Sequence, residues 1–317
     1  MTYFKNKINN DGSSLTTWEV SMVSATVYQI LDKNTKGTVH SVFNNSFNLI
    51  FGERIIHIGS VENGIAPFGI GMNHSKAKQL TMQIKREQSA VWDAVNQQVL
   101  IGNKHYLKLN KGVQTNHSLP SQRFNPSIVK NNIDYITSNI SHEKWQTGLA
   151  QSANEKDLII HSILSQNASR SSNPMITKFN DLKTIALERN TKQAQTIFDY
   201  WIGRGLGLTP SGDDLITGMC ASLSVLHGTS NHLHQQMGDY IMRYGLHRTT
   251  QIGYEYLYYA AKHEYHSHLI QFCKTLLKRR DASLPVALEE MRAIGHTSGT
   301  DTIIGVLLGM KVGTAKN

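Results

Sequence analysis

The apolar residues of this chain change their period once along its length, and that change limits what it can fold into. From about residue 36 to 112 they recur every second position. Phe47, Leu49 and Phe51 alternate with Asn48 and Ile50, which is the pattern of a strand with two unlike faces. Strands are expected at 38–43, 46–51, 54–59, 66–71, in part of 90–100 and at 106–109, with turns at Gly37, Asn44–Asn45 and Gly52–Glu53. Val20, Val23, Val27, Ile30 and Leu31 have helical spacing and predict one helix before the strands, and 75–87 reads as a helix or a long excursion. After Pro126 the period is helical throughout. Helices are expected at 127–138, 142–152, 155–166, 176–202, 211–227, 230–246, 249–263, 265–279, 284–293 and 299–312. The expected architecture is α+β. A β-rich domain at 1–112, loose over 1–17, is joined by a polar connector at 113–130 to a larger, mainly α-helical domain at 131–317.

Composition excludes several classes. Of 317 residues, 39% are hydrophobic and 17% charged, enough for a core and too little charge for a disordered chain. No stretch reaches the roughly 18 apolar residues of a membrane helix, and the polar start does not read as a signal peptide. Cys220 and Cys273 form no CxxC pair, which argues against a disulfide scaffold or a cysteine-rich zinc site. A cytoplasmic protein is expected, with no membrane partner. The net charge of +9 fits a small anionic partner. Basic residues are scattered and match no nucleic-acid-binding pattern, so no nucleic-acid partner is expected.

The segment Gly203–Asp214 carries the strongest chemical signal. Four glycines, Gly203, Gly205, Gly207 and Gly212, precede or open an apolar helix. Thr209 before Pro210 is a good N-cap with a proline at the first helical position, and Ser211 with Asp214 is an equally good capping box. Either start would leave backbone N–H groups open to an anion, with Ser211 and Thr209 as hydroxyl donors and Arg204 as a cationic clamp. A plain helix start needs one cap; it does not need flanking glycines and the adjacent carboxylates Asp213 and Asp214. An echo follows at Ser298–Gly305. Both stretches read S-G-x-D-x-I-x-G, and Gly295-His296-Thr297-Ser298-Gly299 leads into the second. If the two starts face one cleft, their N–H groups would hold a dianion. His296 would then be a proton carrier or oxyanion donor, and Asp214 and Asp301 would orient a nucleophile.

A third segment, His247-Arg248-Thr249-Thr250, offers a bidentate cation and a hydroxyl in Arg248 and Thr249. Taken alone it reads as an ordinary helix–helix turn. The histidines at 232, 234, 263, 266 and 268 have no HExxH spacing or cysteine partners and read as solvated or partner-facing. The tyrosines at 254, 256, 258 and 259 read as core or a subunit contact.

Three of these stretches resemble the AllH-like family: GRGLGLTPSGDDLITG (203–218), HRTTQIGYEYLYYAA (247–261) and AIGHTSGTDTIIGVLLG (293–309). GTVHSVFNNSFNLI (37–50) is similar to that family's first strands, and 112–175 carries no part of the resemblance. The resemblance implies a subunit of an oxamate carbamoyltransferase of anaerobic allantoin and purine breakdown. Such a protein moves a carbamoyl group between carbamoyl phosphate and oxamate, with other carbamoyltransferase subunits as partners and no cofactor. The site residues rest on the reading of the residues themselves. They are His296, Asp214 and Asp301 as catalytic groups, and Arg204, Gly205, Gly207, Thr209, Ser211, Gly212, Asp213, Arg248, Thr249, Thr297, Ser298 and Gly299 around the anion. Two other readings stand beside this one: a non-catalytic scaffold whose site only binds an anion, and a hydrolase holding Mg²⁺ with Asp213, Asp214 and Asp301.

Overall fold

The computed structural model describes residues 15–142, 145–164, 174–189 and 192–315. The chain divides into two compact units, residues 1–117 and 118–317. The expectation of a loose start lies, for residues 1–14, outside the described residues.

The first unit is a mixed sheet with two helices. Its strands are β1 (Thr16–Glu19), β2 (Met22–Ser24), β3 (Lys36–Val42), β4 (Phe47–Phe51), β5 (Arg54–Ser60), β6 (Gly69–Met72), β7 (Ser89–Asp93), β8 (Gln98–Ile101), β9 (His105–Lys108) and β10 (Val113–Thr115). Helices α1 (Ala25–Lys33) and α2 (His74–Thr81) interrupt them. The strand order is β1-β9-β8-β7-β3-β4-β5-β6-β2-β10. This order dictates a curled sheet. In a flat sheet β1 and β2 would lie eight strand spacings apart, roughly 38 Å. Only Val20 and Ser21 separate them in the chain, a link that spans at most about 11 Å. The sheet must therefore bend back until β1 approaches β2. The alternation at 47–51 packs Phe47, Leu49 and Phe51 with no exposed surface.

The helical spacing expected from residue 20 is correct only from Ala25. Met22–Ser24 pairs with β6 instead, and Ser24 then caps α1, its side chain accepting from the Thr26 N–H.

The stretch expected to be a connector is largely tied down. Residues 113–115 extend the sheet beside β2. In the second unit the Leu119 N–H donates to the His263 carbonyl at 3.0 Å, and the Gln122 N–H to Val225 at 2.7 Å.

The second unit consists of α3 (Pro126–His142), α4 (Ala153–Leu164), α5 (Pro174–Leu187), α6 (Ala194–Trp201), α7 (Ser211–Val225), α8 (His232–Arg248), α9 (Gln251–Ala260), α10 (Ser267–Leu276), α11 (Ser283–Arg292) and α12 (Ser298–Thr314). The single helix expected over 176–202 is two. The expected helix at 142–152 is absent from 145–152, and residues 143 and 144 lie outside the described residues.

At the centre stand α7 and α12. Every residue of α7 is buried, as are Gly299–Met310 of α12. Beyond their polar first turns both helices bury apolar residues on every side, as a helix enclosed by others does.

The two central helices run parallel and touch backbone to backbone. A methyl group on Gly218 would run into the Thr302 carbonyl oxygen, and one on Gly305 into the Leu215 carbonyl oxygen. These are the closing glycines of the two S-G-x-D-x-I-x-G stretches, so the internal echo is a pair of equivalent contacts across one helix interface. We expect Gly218→Ala and Gly305→Ala each to lower the unfolding free energy by about 1–3 kcal/mol through overpacking. Urea denaturation checks this, and an unchanged midpoint for both would contradict the close approach.

Candidate active site

Parallel packing brings both helix starts to the same end. Thr209 Oγ1 lies 2.8 Å from Ser298 Oγ. The capping differs from expectation in an informative way. Residues 210 and 297 are the N-caps, and neither makes a side-chain capping bond. Two of the hydroxyls, Ser298 and Ser211, instead serve the opposite helix, and the two threonines serve the carboxyl of their own. Ser298 and Thr209 hydrogen-bond Asp214, while Ser211 and Thr297 hydrogen-bond Asp301.

Thr147 and Gly148 complete the Asp301 environment. The Thr147 hydroxyl donates to Asp301 Oδ1. The Gly148 N–H lies 3.1 Å from Oδ1 and 3.3 Å from Oδ2. Asp213 is held separately, by the Gly203 N–H at 2.8 Å and by the Thr249 hydroxyl.

All three carboxyls are out of water: Asp213 is 1% exposed, Asp214 8% and Asp301 0%. Burial pushes Asp213 up to about 6 against the pull of Thr249 and Gly203. Asp214 is raised well above the usual carboxylate range, first by burial and then by the Asp301 charge. Its Oδ2 is sealed off with no hydrogen-bond partner. Asp301 is raised by burial but has Thr147, Ser211, Thr297 and the Gly148 N–H against it. Two adjoining buried carboxyls do not both ionise readily. Asp301, with the most donors, is therefore the better anion, and Asp214 keeps the proton. The Tyr256 phenol is also raised, by burial and then by Asp214.

The expected anion donors are placed differently. The Gly212 N–H bonds the Arg204 carbonyl at 2.9 Å, and those of Asp213 and Asp214 bond Pro210. The Gly299 N–H bonds Ile294, and that of Asp301 bonds Thr297. These first-turn amides are thus engaged within the chain rather than open. Arg204 lies over the Tyr200 ring, 4.5 Å from its centroid. Arg248 donates to the Asp199 carbonyl and pairs with the Asp199 carboxylate at 3.7 Å, at the edge of the cluster. His296 is exposed on the turn before α12.

The glycine-rich approach to α7 has positive φ at Gly203 (80°), Gly205 (114°) and Gly207 (103°). At Gly203 any side chain would strike the Arg248 carbonyl, and at Gly205 it would crowd Ser211; nothing stands near Gly207. Leu206 between them is 94% exposed and Leu208 51%. Among the described residues no three His, Cys, Asp or Glu side chains gather as a metal-holding group.

The site's defining feature is a buried pair of carboxyls at the shared end of two parallel helices, within an α+β chain. Residues 18–115 match the AllH family N-terminal domain, and residues 201–310 match the oxamate carbamoyltransferase subunit AllH. The chain belongs to the AllH family. No solved structure matches it. Sequence reasoning found Asp213, Asp214, Asp301, Thr209, Ser211, Thr249, Thr297 and Ser298, which the structure brings together. It missed Thr147 and Gly148, whose stretch carries neither a motif nor a clear period.

A neutral buried acid makes stability depend on pH with a definite sign. Between pH 3.8 and about 6 the folded Asp213 holds a proton that the unfolded chain has released, so its contribution to stability falls as pH rises through that window. Asp213→Asn is expected to gain on the unsubstituted protein over that window, on the order of 3 kcal/mol in all. Urea unfolding of both proteins from pH 4 to 7 measures the difference, and a gap that stays constant or narrows would contradict it.

Proposed function

We propose that this chain is the subunit of an oxamate carbamoyltransferase that handles the proton of the reaction, in anaerobic allantoin and purine catabolism. One observation carries the reading: Asp214 and Asp301 are buried side by side, each taking a serine hydroxyl from the other helix start. In the forward direction the oxamate amide nitrogen attacks the carbamoyl carbon of carbamoyl phosphate. An N–C bond forms, the C–O bond to phosphorus breaks, and phosphate leaves with the bonding pair. The amide nitrogen must lose a proton to a base. Ionised Asp301 is suited to accept it, and neutral Asp214 to donate a hydrogen bond to the developing oxyanion. His296, exposed on the turn before α12, would pass the proton on to solvent.

The phosphate is a separate matter. Arg204 and Arg248 lie against Tyr200 and Asp199, and much of each helix start is internally bonded. We infer that a partner subunit supplies the phosphate contacts, seated on the exposed loop of Leu206 and Leu208. The same occupied cations favour the second reading, a subunit that positions a partner's site without reacting itself.

The two readings separate in one assay. With the full set of subunits present, carbamoyl phosphate and oxamate are incubated and phosphate release is followed. Asp301→Asn is expected to reduce turnover by about a hundredfold or more, with Asp214→Asn close behind, while the complex still assembles. Unchanged turnover in an intact complex would leave only the positioning role.

A further inference from the structure

A second polar cluster lies at the far end of α7. Ser224, in its last turn, is thirteen residues from Ser211, about 20 Å along the helix axis. Its Oγ is 3.0 Å from His234 Nε2, 2.7 Å from His263 Nδ1 and 2.8 Å from Tyr265 Oη. The two imidazoles stack at 4.1 Å between centroids. His234 and Tyr265 are buried, which corrects for His234 the expectation that these histidines are solvated or partner-facing, while His263 is half-buried. The grammar of the sequence showed spacing, and spacing does not tell which helix a histidine faces.

The protons in this cluster can be arranged to satisfy every contact. His234 Nε2 also lies 3.1 Å from the Cys220 carbonyl oxygen. A carbonyl only accepts, so Nε2 carries the hydrogen and the buried, unpartnered Nδ1 does not. Burial drives the His234 pKa down to about 3, with the neighbouring His263 adding to the effect, so that ring is neutral. With the Ser224 hydroxyl donating along its shortest contact, to His263 Nδ1, the remaining hydrogen of His263 is on Nε2, which is neither sealed from solvent nor bonded to any described residue.

The backbone also presents this ring with some strain. His263 has φ +62°, left-handed for a residue with a side chain. The conformation is held by its N–H to Ala260 and its carbonyl to the Leu119 N–H, each at 3.0 Å.

His263 and Ser224 line a cavity of about 430 Å³. Leu119, Leu223 and Leu226 form apolar wall, and the exposed Ser121 and Asn231 stand at the mouth. No Asp, Glu, Lys or Arg lines it. Polar and apolar groups line it in comparable measure with no charged side chain among them, which suits a small uncharged molecule carrying both kinds of surface.

We propose that this cavity binds a small uncharged molecule with a short apolar body and a carbonyl oxygen, which accepts the hydrogen of His263 Nε2. The site shares no residue with the carboxylate pair and does not depend on the carbamoyl-transfer reading.

Isobutyramide is the probe, and isobutyrate, of the same shape but charged, is its control. Imidazole ¹H–¹⁵N spectra of the full chain report the binding. Isobutyramide is expected to shift the His263 Nε2 signal saturably, and isobutyrate to bind at least about tenfold more weakly. Ser121→Trp, at the exposed mouth, is expected to abolish the shift while leaving the His234 signals in place. His263→Asn keeps a residue type that tolerates positive φ, and is expected to lower affinity for isobutyramide, read from its own amide signals, by about tenfold or more. A His263 signal that does not move, a shift that survives Ser121→Trp, or equal binding of isobutyrate would overturn the proposal.

Discussion

The contact between the backbones of α7 and α12 governs the helical unit. Glycine at 218 and 305 removes the side chains that would hold the helices apart, and close approach fixes their register. Because they run parallel, both N-termini lie at one end. Two like partial charges, the positive ends of two helix dipoles, are thereby set side by side in the interior. An anion between them offsets that cost, and the chain provides it internally as Asp301. The helix ends thus make the carboxylate tolerable, and the carboxylate makes the parallel pair tolerable.

The same arrangement explains why the acids are unlike. Asp214 and Asp301 occupy equivalent positions in the two starts, yet only Asp301 receives Thr147 and the Gly148 N–H. One added segment thus makes a near-symmetric pair unlike and favours the charge on Asp301. Equivalent carboxyls in different surroundings are the ordinary means by which proteins separate a donor from an acceptor.

The two-part architecture was readable because hydrophobic period is a local signal: two through the strands, helical after Pro126. The repeated S-G-x-D stretch pointed to a shared site because its residue types exceed what a cap requires. What remained hidden was partnership at a distance. The sequence shows Ser211 three residues from Asp214 and offers a capping box. In the structure Ser211 faces Asp301 and Ser298 faces Asp214, an exchange set by tertiary packing. Likewise Arg204 and Arg248 look like free cations until Tyr200 and Asp199 are seen against them. Thr147 could not be found, since one threonine before one glycine carries no pattern. The strand at Met22–Ser24 was read as helix because Val20, Val23 and Val27 are three and four residues apart, and a three-residue strand is too short to show a period of its own.

The curled sheet of the first unit has a consequence for association. Its terminal strands in the pairing order, β1 and β10, are four and three residues long. Such short borders give an incoming chain little main chain to lengthen into a shared ladder. Whatever joins this unit must recognise it through side chains, a slower surface to stick to by accident and an easier one to make selective.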